Sequence, residues 1–246
     1  MSGVVGASPK TEEGNIVEIV NSDFSPSNCK EDKLEFPPRR KAFGGQIGEI
    51  NIICGGKYDQ ETIYGDCISI SKSGEVNKSF SRLQIPRYGA ASVIWNNTLY
   101  ISGGSIPKED QGEIIGSIKA INSTEVIGQN NQENIKKPTN LTQPLSGHCA
   151  ILLSTEKIIM IIGGADLKNG DQKKTYFVDP KENFNSSDGP SMTYERSFHA
   201  CGSTVFENED YVMVVGGFPR GSKVELYQGS NGNWTECKLL TFHFLR

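Results

Sequence analysis

The chain lacks the features that define several large classes of protein. Its 246 residues contain no apolar run of the roughly 18 residues that a membrane span requires. They contain no long basic run, and the formal net charge is -4, so there is no electrostatic argument for binding to nucleic acid or to an anionic membrane. The first residues also lack the basic and long apolar segments of a signal peptide.

Motifs that carry catalytic chemistry are missing as well. The sequence has no P-loop, G-x-S-x-G turn, H-E-x-x-H helix or C-x-x-C pair, and only three histidines. His148 and His199 occupy similar places in two repeats, where they are either a metal pair or, as the repetition favours, a packing position. Carboxylates are scattered mainly in predicted loops, where solvation is their default role: Glu109, Glu113, Asp166, Asp171 and Asp188. We therefore predict no cofactor, although a convergent carboxylate pair for glycoside chemistry stays open.

Four short apolar runs, each ending in paired glycines, repeat along the chain. The first glycines are Gly55, Gly103, Gly163 and Gly216, at intervals of 48, 60 and 53 residues. The runs are rich in Ile and Val and too short for ordinary helices, so they predict strands that are buried on both faces. Paired glycines at a strand end permit a positive φ and the close approach of neighbouring backbone.

Each glycine pair lies between further predicted strands. Upstream, a strand and a short polar turn complete a hairpin, as in Tyr88–Trp95 followed by Asn96 and Asn97. Downstream, third strands are predicted at 66–70, 175–179 and 223–227, and fourth strands near 76–80, 184 and 234–238. Four antiparallel strands per repeat are the plan of a propeller blade.

This pattern resembles the kelch repeat, which has an arginine before the first strand, the glycine pair after the second, a tyrosine in the third and a tryptophan in the fourth. The matching residues are Arg40, Arg87 and Arg196 (with Leu145 in the third repeat), Tyr176, Tyr227 and Trp234. The resemblance covers residues 15–240. It implies an all-β, kelch-type β-propeller of four-stranded antiparallel blades, with four full blades plus a partial one.

The predicted organisation is an N-terminal tail at 1–14 and one propeller domain at 15–246. The predicted blades are 15–29 (partial), 40–80, 87–140, 145–187, 196–238 and 239–246 (partial). The two partial blades together lack a strand with a glycine pair, so we expect an incomplete ring from a longer protein. A closed five-bladed ring with one defective blade is the alternative.

Cysteines and glycosylation sequons bear on the compartment. Cys54 and Cys67 lie in adjacent predicted strands, where they form either a disulfide or two buried thiols. N-x-S/T sequons occur at Asn77, Asn96, Asn122, Asn140, Asn185 and Asn233. With six cysteines in total, they favour an extracellular or lumenal location over the cytosol, without deciding it.

The arginines are the best candidates for binding. The resemblance implies that Arg40, Arg87 and Arg196 point into a central pocket, where guanidinium groups suit carboxylates, and bonding within each blade is the alternative. The loops after the glycine pairs form a second candidate surface: 57–65, 105–117, 165–174 and 218–222.

The sequence therefore predicts a protein-interaction scaffold that binds a protein or peptide partner through propeller loops and the central pocket. The alternative functions are a propeller enzyme of the galactose-oxidase-like or carbohydrate-active type, although the tyrosine, cysteine and histidine set of a copper site has no match here, and a fragment without independent function. Gly103→Val and Gly216→Val are both predicted to destabilise the domain by about 1–3 kcal/mol or more.

Overall fold

The computed structural model describes residues 16–19, 30–33, 37–59, 61–110, 113–128, 138–166, 168–219 and 221–237. Within these ranges every regular element is a β-strand, which confirms the all-β prediction. No helix among them has the length and apolar composition needed to cross a bilayer. The predicted tail at 1–14 and the last partial blade at 239–246 lie outside the described residues.

The strands form antiparallel sheets. An N-terminal pair consists of β1 (Ile16–Ile19) and β2 (Lys30–Lys33). The first sheet contains β3 (Phe43–Ile47), β4 (Ile50–Cys54), β5 (Asp66–Ile70) and β6 (Val76–Arg82). The second contains β7 (Ala91–Trp95), β8 (Thr98–Ser102) and, after an inserted hairpin of β9 (Ser105–Asp110) and β10 (Glu113–Ala120), β11 (Thr124–Gly128).

The third and fourth sheets repeat the strand order of the first. The third contains β12 (Cys149–Leu153), β13 (Ile158–Ile162), a short hairpin of β14 (Ala165–Asp166) and β15 (Gly170–Asp171), then β16 (Thr175–Asp179) and β17 (Asn185–Asp188). The fourth contains β18 (Ala200–Phe206), β19 (Glu209–Val215), β20 (Val224–Gln228) and β21 (Asn233–Cys237). Three sheets therefore have four strands in the order of the chain. The second shows three, and the residues after it, 129–137, lie outside the described part.

Two strand predictions need correction. The second N-terminal strand begins at Lys30, after the end of the predicted partial blade at 15–29. The strand β19 is not buried on both faces, because Met213 is 49% and Val215 40% exposed. One face of the fourth sheet packs against the third sheet, and among the described residues no sheet covers the other face.

Consecutive sheets meet through their first strands, since β3 contacts β7, β7 contacts β12 and β12 contacts β18. The paired glycines lie at one end of every sheet, which we call the glycine end, and the turn between the first and second strands lies at the other, the turn end. At the glycine end, the second glycine of each pair donates its N–H to a carbonyl of the next sheet: Gly56 to Arg87, Gly104 to Leu145 and Gly164 to Arg196, at 2.8–2.9 Å.

A second series of backbone hydrogen bonds links the sheets nearby. Gly89 N–H donates to Lys41 O (2.9 Å), Gly147 N–H to Gly89 O (2.8 Å) and Phe198 N–H to Gly147 O (2.7 Å). All four residues have positive φ, between 52° and 64°. One residue in the left-handed conformation at the same place in each sheet thus joins the four sheets in order.

Apolar side chains fill the spaces between neighbouring sheets. Ile52 and Leu99 belong to the core between the first and second sheets, and Met160 and Val212 to the core between the third and fourth. Disulfides reinforce two places. Cys54–Cys67 joins β4 to β5 within the first sheet, and Cys149–Cys201 joins β12 to β18 of neighbouring sheets, a pairing that was not predicted from the sequence.

Candidate functional site

The structure corrects which residue of the first sheet is equivalent to Arg87 and Arg196. The residue after each of these arginines forms an isolated β-bridge at the glycine end, and the bridges are Arg40 with Lys57, Tyr88 with Ser105, Ser146 with Ala165 and Ser197 with Phe218. The residue equivalent to Arg87 and Arg196 is therefore Arg39, which is buried, whereas Arg40 is exposed. Two adjacent arginines both fit the sequence pattern, and only the pairing register separates them.

Arg87 and Arg196 are fully buried and bonded within their own sheets. Arg87 Nη2 pairs with Glu125, and Arg196 Nη2 lies 2.6 Å from Glu225 Oε2. Their Nη1 atoms donate to backbone carbonyls at 2.8–3.0 Å, those of Gly103 and Ser123 for Arg87 and of Gly216 and Lys223 for Arg196. These two guanidinium groups hold strands together and do not line an open pocket.

The glutamates that pair with these arginines were missed in the sequence, although a signal for them exists. Glu125 and Glu225 occupy the same place in their third strands, each opposite the second strand one residue before its last. In the third sheet, where leucine replaces the arginine, this place holds Tyr176, and both Leu145 and Tyr176 are buried. In the first sheet this place holds Ile68, and Arg39 pairs instead with Asp66 at 2.8 Å. Each of the three buried arginines therefore has an acidic partner, as expected because a buried charge without its partner is costly.

The glycine end gathers several cationic and aromatic side chains. Lys41 of the first sheet places its Nζ 4.1 Å from the ring centroid of Phe198 in the fourth sheet. Lys57 Nζ lies 4.4 Å from the ring centroid of Tyr88, and Lys41 Nζ lies 5.9 Å from the same centroid. We call Arg40, Lys41, Lys57, Tyr88 and Phe198 the cationic–aromatic cluster.

The positive charges of this cluster interact unfavourably with each other. Desolvation and the like charges of Lys57 and Arg40 lower the pKa of Lys41. Desolvation and Arg40 also lower the pKa of Lys57, an effect that Asp59 partly opposes. The Asp59 carboxylate accepts two backbone N–H groups of its own turn. In the part of the chain that the structure describes, none of the three cations forms an ion pair.

Lys41 and Phe198 have a backbone conformation that usually belongs to glycine. Their φ angles are 55° and 52°, and the equivalent residues of the second and third sheets are Gly89 and Gly147, with φ of 62° and 64°. A residue with a side chain in this region costs of order 1–3 kcal/mol, and such residues concentrate at functional sites. Lys41 and Phe198, which bear this conformational cost, are the residues whose side chains contact each other in the cluster.

A groove of about 620 Å³ lies beside the cluster. Its apolar lining consists of Ile63, Ile85, Pro86, Ile106 and Pro107, and Glu61 and Lys119 also contribute. The groove adjoins the cluster through two backbone pairs, since Ile63 bridges to Lys57, and Ser105, which precedes Ile106, bridges to Tyr88. The segments predicted as loops at 57–65 and 105–117 thus supply both the groove and part of the cluster, the second of them as the β9–β10 hairpin.

The sequons are placed mostly at the turn end. The exposed asparagines there are Asn77, Asn96, Asn185 and Asn233. Asn122 is half-buried and its Nδ2 donates to Leu141 O at 3.1 Å, while Asn140 Oδ1 accepts the N–H of Thr124 at 3.3 Å. Four of the six sequons therefore lie away from the cationic–aromatic cluster.

The carboxylates singled out in the sequence do not converge. Asp166 accepts hydrogen bonds from Asn169 and from the N–H of Lys168 within its own hairpin, and Asp171 accepts one from Ser197. Asp188 lies at the exposed end of β17, and the side chains of Glu109 and Glu113 lie outside the described residues. Within the described part of the chain, no group of three or more His, Cys, Asp and Glu side chains is arranged to hold a metal ion.

His148 and His199 are packed between sheets. His148 is buried, and its Nε2 lies 2.9 Å from the hydroxyl of Ser102 in the preceding sheet. Desolvation, together with the charge of His199, lowers the pKa of His148 to about 3. Desolvation, together with Arg196, lowers the pKa of His199 to about 4. Both rings are therefore neutral at pH 7.

These histidines predict that acid weakens the fold. A folded-state pKa below the unfolded value of about 6.5 gives stability that is present above pH 6.5 and is lost as pH falls below it. We expect the free energy of unfolding to fall by about 2 kcal/mol for each ring when the pH is lowered from 7 to 5. Urea unfolding of wild type, His148→Gln and His199→Gln at both pH values measures this. An equal loss in all three proteins would contradict it.

No protein-family model matches this chain, and no curated protein does. The similarity to the kelch repeat therefore stays an expectation from the sequence.

Proposed function

We propose that the four sheets are blades of a β-propeller and that the protein is an interaction scaffold, which binds a protein partner through the glycine end. The propeller is supported by the repeated strand order and by the succession of contacts between first strands. The two series of hydrogen bonds that pass from sheet to sheet add to this support, because each holds neighbouring sheets in the same relative position.

Among the described residues, no sheet packs against one face of the fourth sheet, and this face suits a further blade. A Cβ built on Gly55, Gly103 or Gly163 would lie only 2.3–2.6 Å from a backbone oxygen of the next sheet. A Cβ on the equivalent Gly216 meets nothing closer than 3.5 Å. The exposed Met213 lies on a face of the same sheet, and the corresponding face of each earlier sheet is covered by its successor. A ring that continues past the fourth blade would cover this surface.

The observation that carries the binding proposal is the conformation of Lys41 and Phe198. Glycine serves the same place in the second and third sheets, so the backbone does not need these side chains. A costly backbone conformation that the fold does not require is characteristic of residues kept for function. Among the described residues Lys41 forms no ion pair, and Phe198 is 52% exposed, so both side chains suit contact with a partner.

Site-specific photo-crosslinking tests the proposal with two exposed aromatic positions. A photoreactive phenylalanine analogue replaces Tyr58 near the glycine end or Phe206 at the turn end, in the cells that produce the protein. These side chains are 44% and 60% exposed. We expect a discrete partner adduct from position 58 and none from position 206, because the partner contacts the glycine end.

The control variant is Lys41→Gly, which copies the residue of the second and third sheets at this place. We expect it to abolish the adduct from position 58 without lowering the thermal unfolding midpoint, since glycine adopts the required φ at no cost. Adducts from position 206 alone, or adducts from position 58 that persist in Lys41→Gly, would refute binding at the glycine end.

A further inference from the structure

Two of the six sequons lie near the glycine end, and their amides hold neighbouring backbone segments together. Ser123, which follows Asn122, accepts the N–H of Gly103 at 3.0 Å. Asn122 is half-buried, and its Nδ2 donates to a backbone carbonyl 19 residues away. Asn140 Oδ1 accepts the N–H of Thr124, 16 residues away. A bulky glycan on either asparagine would disturb the contact between these segments.

The other four sequons have exposed asparagines at the turn end, and these are Asn77, Asn96, Asn185 and Asn233. Asn77 Oδ1 accepts the N–H of Ser79 within its own sequon at 3.0 Å. Asn96 lies in the turn between β7 and β8 with a φ of 46°. Asn185 and Asn233 are the first residues of β17 and β21, each opposite the last residue of the preceding strand of its sheet. Each of these side chains borders solvent, into which a glycan can extend.

The disulfides bear independently on the compartment in which the chain folds. Cys54 is bonded to Cys67, and Cys149 is bonded to Cys201. Structural disulfides form and persist in the oxidising compartments of the secretory route and are rare in the cytosol. Sequons are glycosylated in proteins that enter the same route. Two different features of the chain therefore indicate the same compartment.

From these observations we infer that the four sequons of the turn end carry N-linked glycans and that the two near the glycine end do not. The donor is an oligosaccharide linked to a lipid diphosphate. The bond between the first sugar's anomeric carbon and the diphosphate oxygen breaks, and Nδ2 of the asparagine bonds to that carbon. Nδ2 loses one proton and the lipid diphosphate leaves, so the step needs neither an oxidant nor a reductant. The inference goes beyond the proposed function, because it concerns the opposite end of the molecule.

Three of the four asparagines lie on the last strand of a sheet. Among the described residues β6, β17 and β21 each pair with one other strand only. Such edge strands present unpaired N–H and C=O groups, which invite pairing with a strand of another chain. A bulky, hydrated glycan near the start of an edge strand obstructs that pairing. The glycans thus shield strand edges at the turn end and leave the glycine end bare for a partner.

Isotope labelling of the glycosylated positions tests the inference on the protein purified from the cells that produce it. Peptide N-glycosidase hydrolyses each glycosylated asparagine to aspartate, and in ¹⁸O-labelled water the new carboxylate takes up the label. We expect label at the four positions of the turn end and none at Asn122 or Asn140. A sample incubated without the enzyme corrects for spontaneous deamidation.

The turn between β7 and β8 offers a matched pair of variants. Asn96→Gln removes the sequon and Asn97→Gln keeps it. Both asparagines are exposed and have positive φ, 46° and 57°, so the two substitutions bear a similar conformational cost. We expect the intact mass of Asn96→Gln to fall by one glycan and that of Asn97→Gln to keep all four.

Substitutions of the sequon's hydroxyl residue give a second test at the same site. Thr98→Ala removes the sequon, whereas Thr98→Ser keeps it. Serine also keeps a hydroxyl for the hydrogen bond that Thr98 Oγ1 donates to Trp95 O at 2.6 Å. We expect Thr98→Ala to lose the same glycan as Asn96→Gln and Thr98→Ser to retain it.

Three outcomes would overturn the inference. The first is absence of label at every sequon of the purified protein. The second is label at Asn122 or Asn140 as strong as at the turn end, because burial and amide bonding would then not select the sites. The third is an equal glycan mass in Asn96→Gln and Asn97→Gln. The scaffold proposal is independent of these results, since the crosslink from position 58 tests it separately.

Discussion

Glu225→Gln is expected to lower the free energy of unfolding by about 3–5 kcal/mol, as measured by urea denaturation. The substitution conserves size and removes only the charge that compensates Arg196. Neither side chain has exposed area, and the carboxylate also accepts the backbone N–H of Thr193 at 2.6 Å. Breaking a buried pair leaves one uncompensated charge without solvent, which costs far more than the pair contributes when intact.

The fourth sheet supplies its own control for this experiment. Lys223 and Glu236 form an ion pair whose side chains are 38% and 37% exposed, so Glu236→Gln should change the unfolding midpoint little. The double variant Arg196→Leu with Glu225→Tyr copies Leu145 and Tyr176 of the third sheet and should recover much of the lost stability. Equal effects of Glu225→Gln and Glu236→Gln would contradict the assignment of a buried pair.

Gly103→Val is expected to cost about 3–5 kcal/mol and to cost clearly more than Gly216→Val. Gly103 has a φ of 59°, and a Cβ there would lie 2.3 Å from Leu145 O and 2.7 Å from His148 Cε1. The substitution therefore adds a collision with the next sheet to the cost of the backbone conformation. A Cβ on Gly216, which has a φ of 70°, would meet no atom of the described residues closer than Gly221 O at 3.5 Å, an ordinary contact, so only the conformational cost of about 1–3 kcal/mol applies.

Thermal and urea unfolding of the two valine variants measure this difference. The sequence predicts similar effects for both glycines because both follow the same kind of strand. Gly103→Ala and Gly216→Ala serve as smaller substitutions that keep the same ranking if the carbonyl contact is the cause. If Gly216→Val proves as damaging as Gly103→Val, then another part of the protein occupies the space beside the fourth sheet.

The strands and their order were predictable from the sequence because they depend on local features. Short Ile- and Val-rich runs, polar turns and the regular glycine pairs lie within a few residues of each other, and the third strands at 66–70 and 175–179 coincide with β5 and β16. The pairing of Cys54 with Cys67 also depends on adjacent strands, and the register places them directly opposite each other.

The location of the binding residues was not predictable in the same way. The sequence indicated Arg40, Arg87 and Arg196 as equivalent. The bridge between Arg40 and Lys57 shows that the equivalent residue of the first sheet is Arg39, and the other two arginines are buried in ion pairs with glutamates. The residues next to each arginine do not show whether it is paired, because its partner lies up to 38 residues away in the sequence.

The sequence by itself determined an all-β chain of repeated four-stranded units, since periodicity, turn residues and glycine spacing are local properties of the chain. The tertiary structure alone decided which charges are buried with partners and which, among the described residues, form no ion pair at the glycine end. It also brought Lys41 and Phe198, 157 positions apart in the sequence, to a distance of 4.1 Å. The physical reason is that burial and electrostatic pairing depend on how the sheets pack together, and that packing depends on contacts between residues far apart in the chain.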